Sequence, residues 1–159
     1  MTPDAPPLTL NAKMRSLRQR SAIIARPRLF ALLAELRPVT LVSAPAGYGK
    51  TVLVASWLDT LDLPHVWLTL DARHCEPARF AAELTAALRP LLPAGTDTQP
   101  PHRLAPPALA DHLLAALDAL PNPTVVVLDG YHALERSEAQ ALVSRLIPRL
   151  PRHLRLMLL

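Results

Sequence analysis

The chain has 159 residues, half of them hydrophobic and 4% aromatic, with 18 prolines and a net charge of +4. That length suits one domain, with a core built mainly from Leu, Val and Ala, and the composition fits an α/β protein better than a β-sandwich. The single cysteine, Cys75, excludes an internal disulfide and a cysteine-based metal site. No apolar run reaches transmembrane length and no basic-then-apolar signal segment opens the chain, so no membrane is expected and the predicted location is cytoplasmic.

Residues 1–22 are predicted to form a flexible, Pro-rich, basic arm. Its dense run from Lys13 to Arg20 lacks the interleaved aromatics and recognition helix of a DNA-binding element and reads as a solvated segment. An ordered domain is expected over 23–159. Pro27 suits a first helical turn, and Leu29, Leu32 and Leu33 share one side of a helix running to about Leu36. Val39 to Ser43 is apolar on both faces, the pattern of a central parallel strand covered by helices. A helix over Lys50 to Leu61 carries Leu53, Val54, Trp57, Leu58 and Leu61 at helical spacing. His65 to Leu70 reads as the second strand, followed by a polar turn and a helix that Pro77 initiates, with Phe80, Leu84, Leu88 and Leu91 in line.

The stretch 93–107 is expected as a surface loop, and Ala108 to Leu120 as the next helix. Thr124 to Asp129 is the clearest strand in the chain. Ser137 with Gln140 forms a capping box for a helix reaching Ile147, and Leu154 to Leu159 begins a fourth strand. Strands alternating with helices imply a parallel sheet with helices on both faces. An end within a buried strand predicts a domain incomplete at its C-terminus, the N-terminal portion of something longer.

Between the first strand and its helix lies Ser43-Ala44-Pro45-Ala46-Gly47-Tyr48-Gly49-Lys50-Thr51. Phosphates need converging backbone N–H donors, a helix N-terminus aimed at them and a cation within reach. The loop from Gly47 through Tyr48 and Gly49 to Lys50 and Thr51 offers all three. Two of the four glycines are here, and Lys50 is one of only two lysines among 17 basic residues. Ala44 occupies the first-glycine position of the G-x-x-x-x-G-K-[ST] pattern, where alanine can serve if its φ is negative. Thr51 places a hydroxyl where a phosphate-bound Mg²⁺ needs one.

A nucleotide site with Mg²⁺ also needs a carboxylate at the C-terminal end of a nearby strand, and Asp129 supplies it in the hydrophobic-run-plus-Asp pattern of a Walker B strand. Hydrolysis needs a group to orient or deprotonate water, commonly an acid beside that Asp, but the next residue is Gly130. Glu135 is an outside candidate, whereas Glu138 fits the first turn of a helix. His132 reads as a turn histidine or a general base. His74, His102 and His153 are isolated, and Trp57 and Trp67 are expected in the core.

The order of these motifs, with Ala25-Arg26-Pro27-Arg28-Leu29 before the loop, Val66-Trp67-Leu68-Thr69-Leu70-Asp71 after it, and Val127-Leu128-Asp129-Gly130-Tyr131-His132 beyond, resembles the nucleotide-binding domain of MalT-like, large LuxR-type transcriptional regulators of the STAND class of P-loop ATPases. The resemblance covers about residues 23–159. It implies an ATP/ADP switch in which ADP holds a closed monomer, while ATP and an inducer favour self-association. DNA would be bound only through a C-terminal helix-turn-helix region beyond residue 159. It further implies that the strand from Leu154 lies between the loop strand and the Asp129 strand, that Arg26 and Pro27 approach the adenine, that Lys50 and Thr51 serve the phosphates and Mg²⁺, and that Asp129 serves the metal. Gly130 departs from the family's second acid, so at most slow turnover is expected. A small P-loop kinase or ordinary ATPase, and a truncated inactive pseudo-ATPase, are the alternative readings.

Overall fold

The computed structural model describes residues 26–96 and 105–159; the basic run from Lys13 to Arg20 and His102 lie outside them. Among the described residues four strands, β1 (Val39–Leu41), β2 (His65–Thr69), β3 (Thr124–Asp129) and β4 (Leu154–Leu158), form one sheet in the order β1-β4-β3-β2. Every pairing is parallel, with Val126 of β3 opposite both Val66 and Leu156. The strand from Leu154 therefore lies between the loop strand and the Asp129 strand, as the resemblance implies. Among the described residues five helices flank the sheet: α1 (Pro27–Leu33), α2 (Lys50–Leu58), α3 (Pro77–Leu88), α4 (Pro106–Asp118) and α5 (Glu138–Leu146).

Successive side chains of a strand point to opposite faces, and the core divides accordingly. Val126 and Leu128 of β3, Val66 and Leu68 of β2, and Leu154, Leu156 and Leu158 of β4 pack with Phe80, Leu113 and Leu142 from α3, α4 and α5. Val125, Val127, Trp67 and Met157 point the other way, onto Leu33 of α1 and Val54, Trp57 and Leu58 of α2. Apolar residues on both faces of β3 thus reflect cover on both faces, and both tryptophans are core residues.

β1 departs from its sequence reading. It spans three residues and pairs only with β4, so among the described residues it forms an edge of the sheet, with Leu41 66% exposed. An apolar run reads alike at an edge and in the middle of a sheet, and here the Val42 N–H still donates to the Leu158 carbonyl at 2.8 Å just beyond the strand. Most helices are also a turn shorter than their periodicity suggests. The Ser137 hydroxyl accepts the Gln140 N–H at 3.1 Å, but the Gln140 side chain accepts from Arg136 N–H rather than from Ser137, so the capping box closes one residue early.

Candidate functional site

The loop after β1 turns on two glycines in left-handed backbone, Gly47 at φ 83° and Gly49 at φ 80°. A Cβ at either would meet nothing within 4 Å, so glycine answers the backbone angle there and leaves open space above it. Ala44 is not among the residues of positive φ, which explains why alanine is accommodated. Gly49 is the N-cap of α2 and brings no side chain to it, while its carbonyl accepts from Leu53 N–H at 2.8 Å. The first N–H groups of a helix have no acceptor within it, so those of Lys50, Thr51 and Val52 point outward at the positive end of the helix dipole. Tyr48 stands 66% exposed on the loop's crest.

Two side chains at the start of α2 define the rest. Lys50 Nζ donates to the Ala44 carbonyl at 2.6 Å and the Pro45 carbonyl at 3.3 Å, lying across the base of its own loop. The Thr51 hydroxyl lies 3.1 and 3.3 Å from the two carboxylate oxygens of Asp129 and donates to them. β4 intervenes between β1 and β3, and the loop leans over its end to make this contact across 78 residues of sequence. A hydroxyl and a carboxylate side by side are hard oxygen donors of the kind Mg²⁺ takes, so the pair fits that ion.

Beside the loop opens a cleft of about 450 Å³, lined by Ser43, Ala44 and Lys50 on one side and by Tyr131, His132 and Glu135 on the other. Thr51 and Asp129 are not among its lining residues. The far wall is a 3₁₀ turn, Tyr131–Leu134, that begins at Gly130. Two N–H groups, of Gly130 and Tyr131, donate to the Leu159 carbonyl at 3.1 and 2.8 Å and hold this turn over β4. Burial pushes the Tyr131 phenol above its ordinary pKa.

Arg26 and Pro27 open α1 and are exposed, and among the described residues no hydrogen bond joins them to the glycine loop. Glu138 begins α5, as expected.

One polar cluster escaped the sequence reading. His74, only 2% exposed, lies with Nδ1 3.1 Å from the Asp71 N–H and 3.0 Å from its carboxylate, and with Nε2 2.7 Å from Glu83. Hydrogen bonds from Arg73 hold the Asp71 carboxyl well below the usual carboxylate range. Burial pushes the Glu83 carboxyl up, but hydrogen bonds from His74 and Arg79 outweigh it and leave the group lowered. The cluster fastens the end of β2 to α3. The Asp71-x-x-His74 spacing signals the cap, but Glu83 carries no local signal.

A glycine loop between a strand and a helix, tied by its terminal Thr to an Asp at the end of a second parallel strand, defines a P-loop nucleotide-binding fold. The family described as the AAA ATPase domain matches residues 27–159, and the chain belongs to it. Its sequence is similar to the HTH-type transcriptional regulator MalT of Serratia proteamaculans (strain 568), 35% identical over 160 residues, and of Yersinia enterocolitica, 32% identical over 154 residues. Each match covers 91% of this chain and 17% of the relative, so the chain spans about a sixth of the length of these regulators. Among solved structures, the Aeropyrum pernix ORC1 protein in complex with DNA shares the fold, with a TM-score of 0.54 and 22% identity over 94% of this chain and 39% of that one.

Proposed function

We propose that this chain is the ATP/ADP-binding switch module of a MalT-like transcriptional regulator, with nucleotide-dependent change of state rather than turnover as its main task. The observation that carries this reading is the Thr51–Asp129 contact, which joins the glycine loop to the end of β3 where a phosphate-bound cation would be held. The N–H groups from Gly47 to Thr51 cradle the phosphates, and Lys50 exchanges its loop carbonyls for the outer phosphate oxygens. With three donors on its ammonium, it can keep one of them. Thr51 and Asp129 hold Mg²⁺, which neutralises phosphate charge when bound. Arg26 and Pro27 border the adenine, supported by the packing of α1 beside α2 on one face of the sheet. In the longer regulator the bound nucleotide sets self-association, and DNA is contacted by a region outside these residues. No described helix is long and apolar enough to cross a membrane.

Thermal unfolding with and without Mg-ADP and Mg-ATP tests the reading. At a hundred times the dissociation constant, nucleotide should add about 2.7 kcal/mol, a shift of several degrees, and ADP should shift the protein more than ATP. Lys50→Ala should lose the shift while remaining folded, its ligand-free unfolding temperature lowered by the loss of the Ala44 and Pro45 carbonyl contacts. A folded wild type that neither nucleotide shifts contradicts the proposal.

A further inference from the structure

Splitting a phosphoanhydride with water requires a group that orients the water and takes its proton, and a carboxylate near the outer phosphate is the usual choice. The position directly after Asp129 is closed to one. Gly130 sits at φ 84°, and a Cβ built on it would lie 2.9 Å from the Leu70 carbonyl oxygen, a backbone atom at the end of β2. Any side chain there is strained by the backbone angle and pressed against main chain that the Leu70 N–H to Asp129 carbonyl bond, 2.7 Å, holds in place. An acid must therefore come from elsewhere, and the cleft beside the loop has one among its lining residues: Glu135.

We propose that Glu135 is the catalytic acid–base residue of a slow ATP hydrolysis at this site, an inference that rests on the nucleotide-binding reading above. Glu135 and Lys50 line the same cleft, so the acid and the cation that would draw the outer phosphate border one solvent-filled space. The Glu135 backbone is fixed on both sides. Its N–H donates to the His132 carbonyl at 3.1 Å, the neighbouring Leu134 is fully buried, and Arg136 is held at φ 61° with its N–H on the Gln140 side chain at 2.8 Å. Its carboxylate has no hydrogen bond or ion pair among the described residues, which leaves it available to water. In the step, the water oxygen bonds to the terminal phosphorus as the bond from that phosphorus to the bridging oxygen breaks. ADP leaves with the electron pair on that oxygen, and the water proton passes to Glu135 and then to solvent.

The experiment measures phosphate release from Mg-ATP and, separately, displacement of a fluorescent ADP analogue, for wild type, Glu135→Gln and Gly130→Asp. Glu135→Gln should bind nucleotide within about two-fold of wild type, unfold at the same temperature, and release phosphate on the order of 100-fold more slowly. Gly130→Asp should unfold at lower temperature and release phosphate no faster than wild type. The proposal is overturned by Glu135→Gln turning over at the wild-type rate, by wild type that binds nucleotide without releasing phosphate, or by Gly130→Asp accelerating release. Failure of wild type to bind nucleotide would instead overturn the underlying phosphate-site reading, and this proposal with it.

Discussion

Gly49 and Gly130 share one backbone conformation, φ 80° and 84°, yet their surroundings are opposite. Around Gly49 a Cβ would meet nothing within 4 Å, whereas at Gly130 it would strike the Leu70 carbonyl. One glycine keeps room for something outside the protein, while the other lets two strand ends of the protein itself approach. Both lie at the C-terminal edge of the same sheet, one on each side of β4. The comparison separates the open part of this edge, where the proposed nucleotide would sit, from the part shaped by packing.

Substitution by alanine should sharpen that contrast most strongly. Gly130→Ala combines left-handed strain with overpacking and should destabilise the fold by about 2–4 kcal/mol in chemical denaturation. Gly49→Ala carries the strain alone, about 1 kcal/mol, but should abolish nucleotide-dependent stabilisation. Equal losses at the two positions would break the distinction.

A smaller effect is expected from the tie between the loop and β3. In a double-mutant cycle of Thr51→Val and Asp129→Asn, the coupling in ligand-free protein should be about 0.5–1.5 kcal/mol. Each single change should also remove the Mg²⁺-dependent part of nucleotide binding. Zero coupling would mean that the contact does not hold the loop in solution.

The smallest effect concerns the cluster behind β2. Asp71 and Glu83 have folded pKa values below their ordinary ones, so each contributes stability that is present above the unfolded pKa, about 4, and is lost as pH falls through the folded value. Asp71 is well exposed to solvent, so its contribution is modest. The gap in unfolding temperature between wild type and Asp71→Asn should be widest above about pH 5 and should close as pH falls below about 4. A gap that is constant with pH would assign the role to packing instead of charge.

Legibility in the sequence followed the locality of the cause. Thr124 to Asp129 could be read to the residue because an unbroken apolar run ending in Asp carries its own strand, its burial and its carboxylate. Gly47, Gly49, Lys50 and Thr51 were legible because the turn, the helix start and the side chains that use them lie within five positions. β1 was misread as a covered central strand because an apolar run looks alike at an edge and in the middle, and only its pairing partners differ. His74 looked isolated because Glu83 meets it through the docking of α3 on β2. The commitment of Gly130 to glycine was also invisible, since the atom that enforces it belongs to Leu70. Sequence showed an acid missing after Asp129, and the packing of two strands explains why none fits.

The most direct test is a calorimetric titration of Mg-ADP into wild type and into Lys50→Ala. One site per chain on wild type, weakened at least about tenfold when Mg²⁺ is withheld and lost in Lys50→Ala, is the result expected of a phosphate cradle closed by Thr51 and Asp129. Binding unchanged in Lys50→Ala, or no binding to folded wild type, would contradict it.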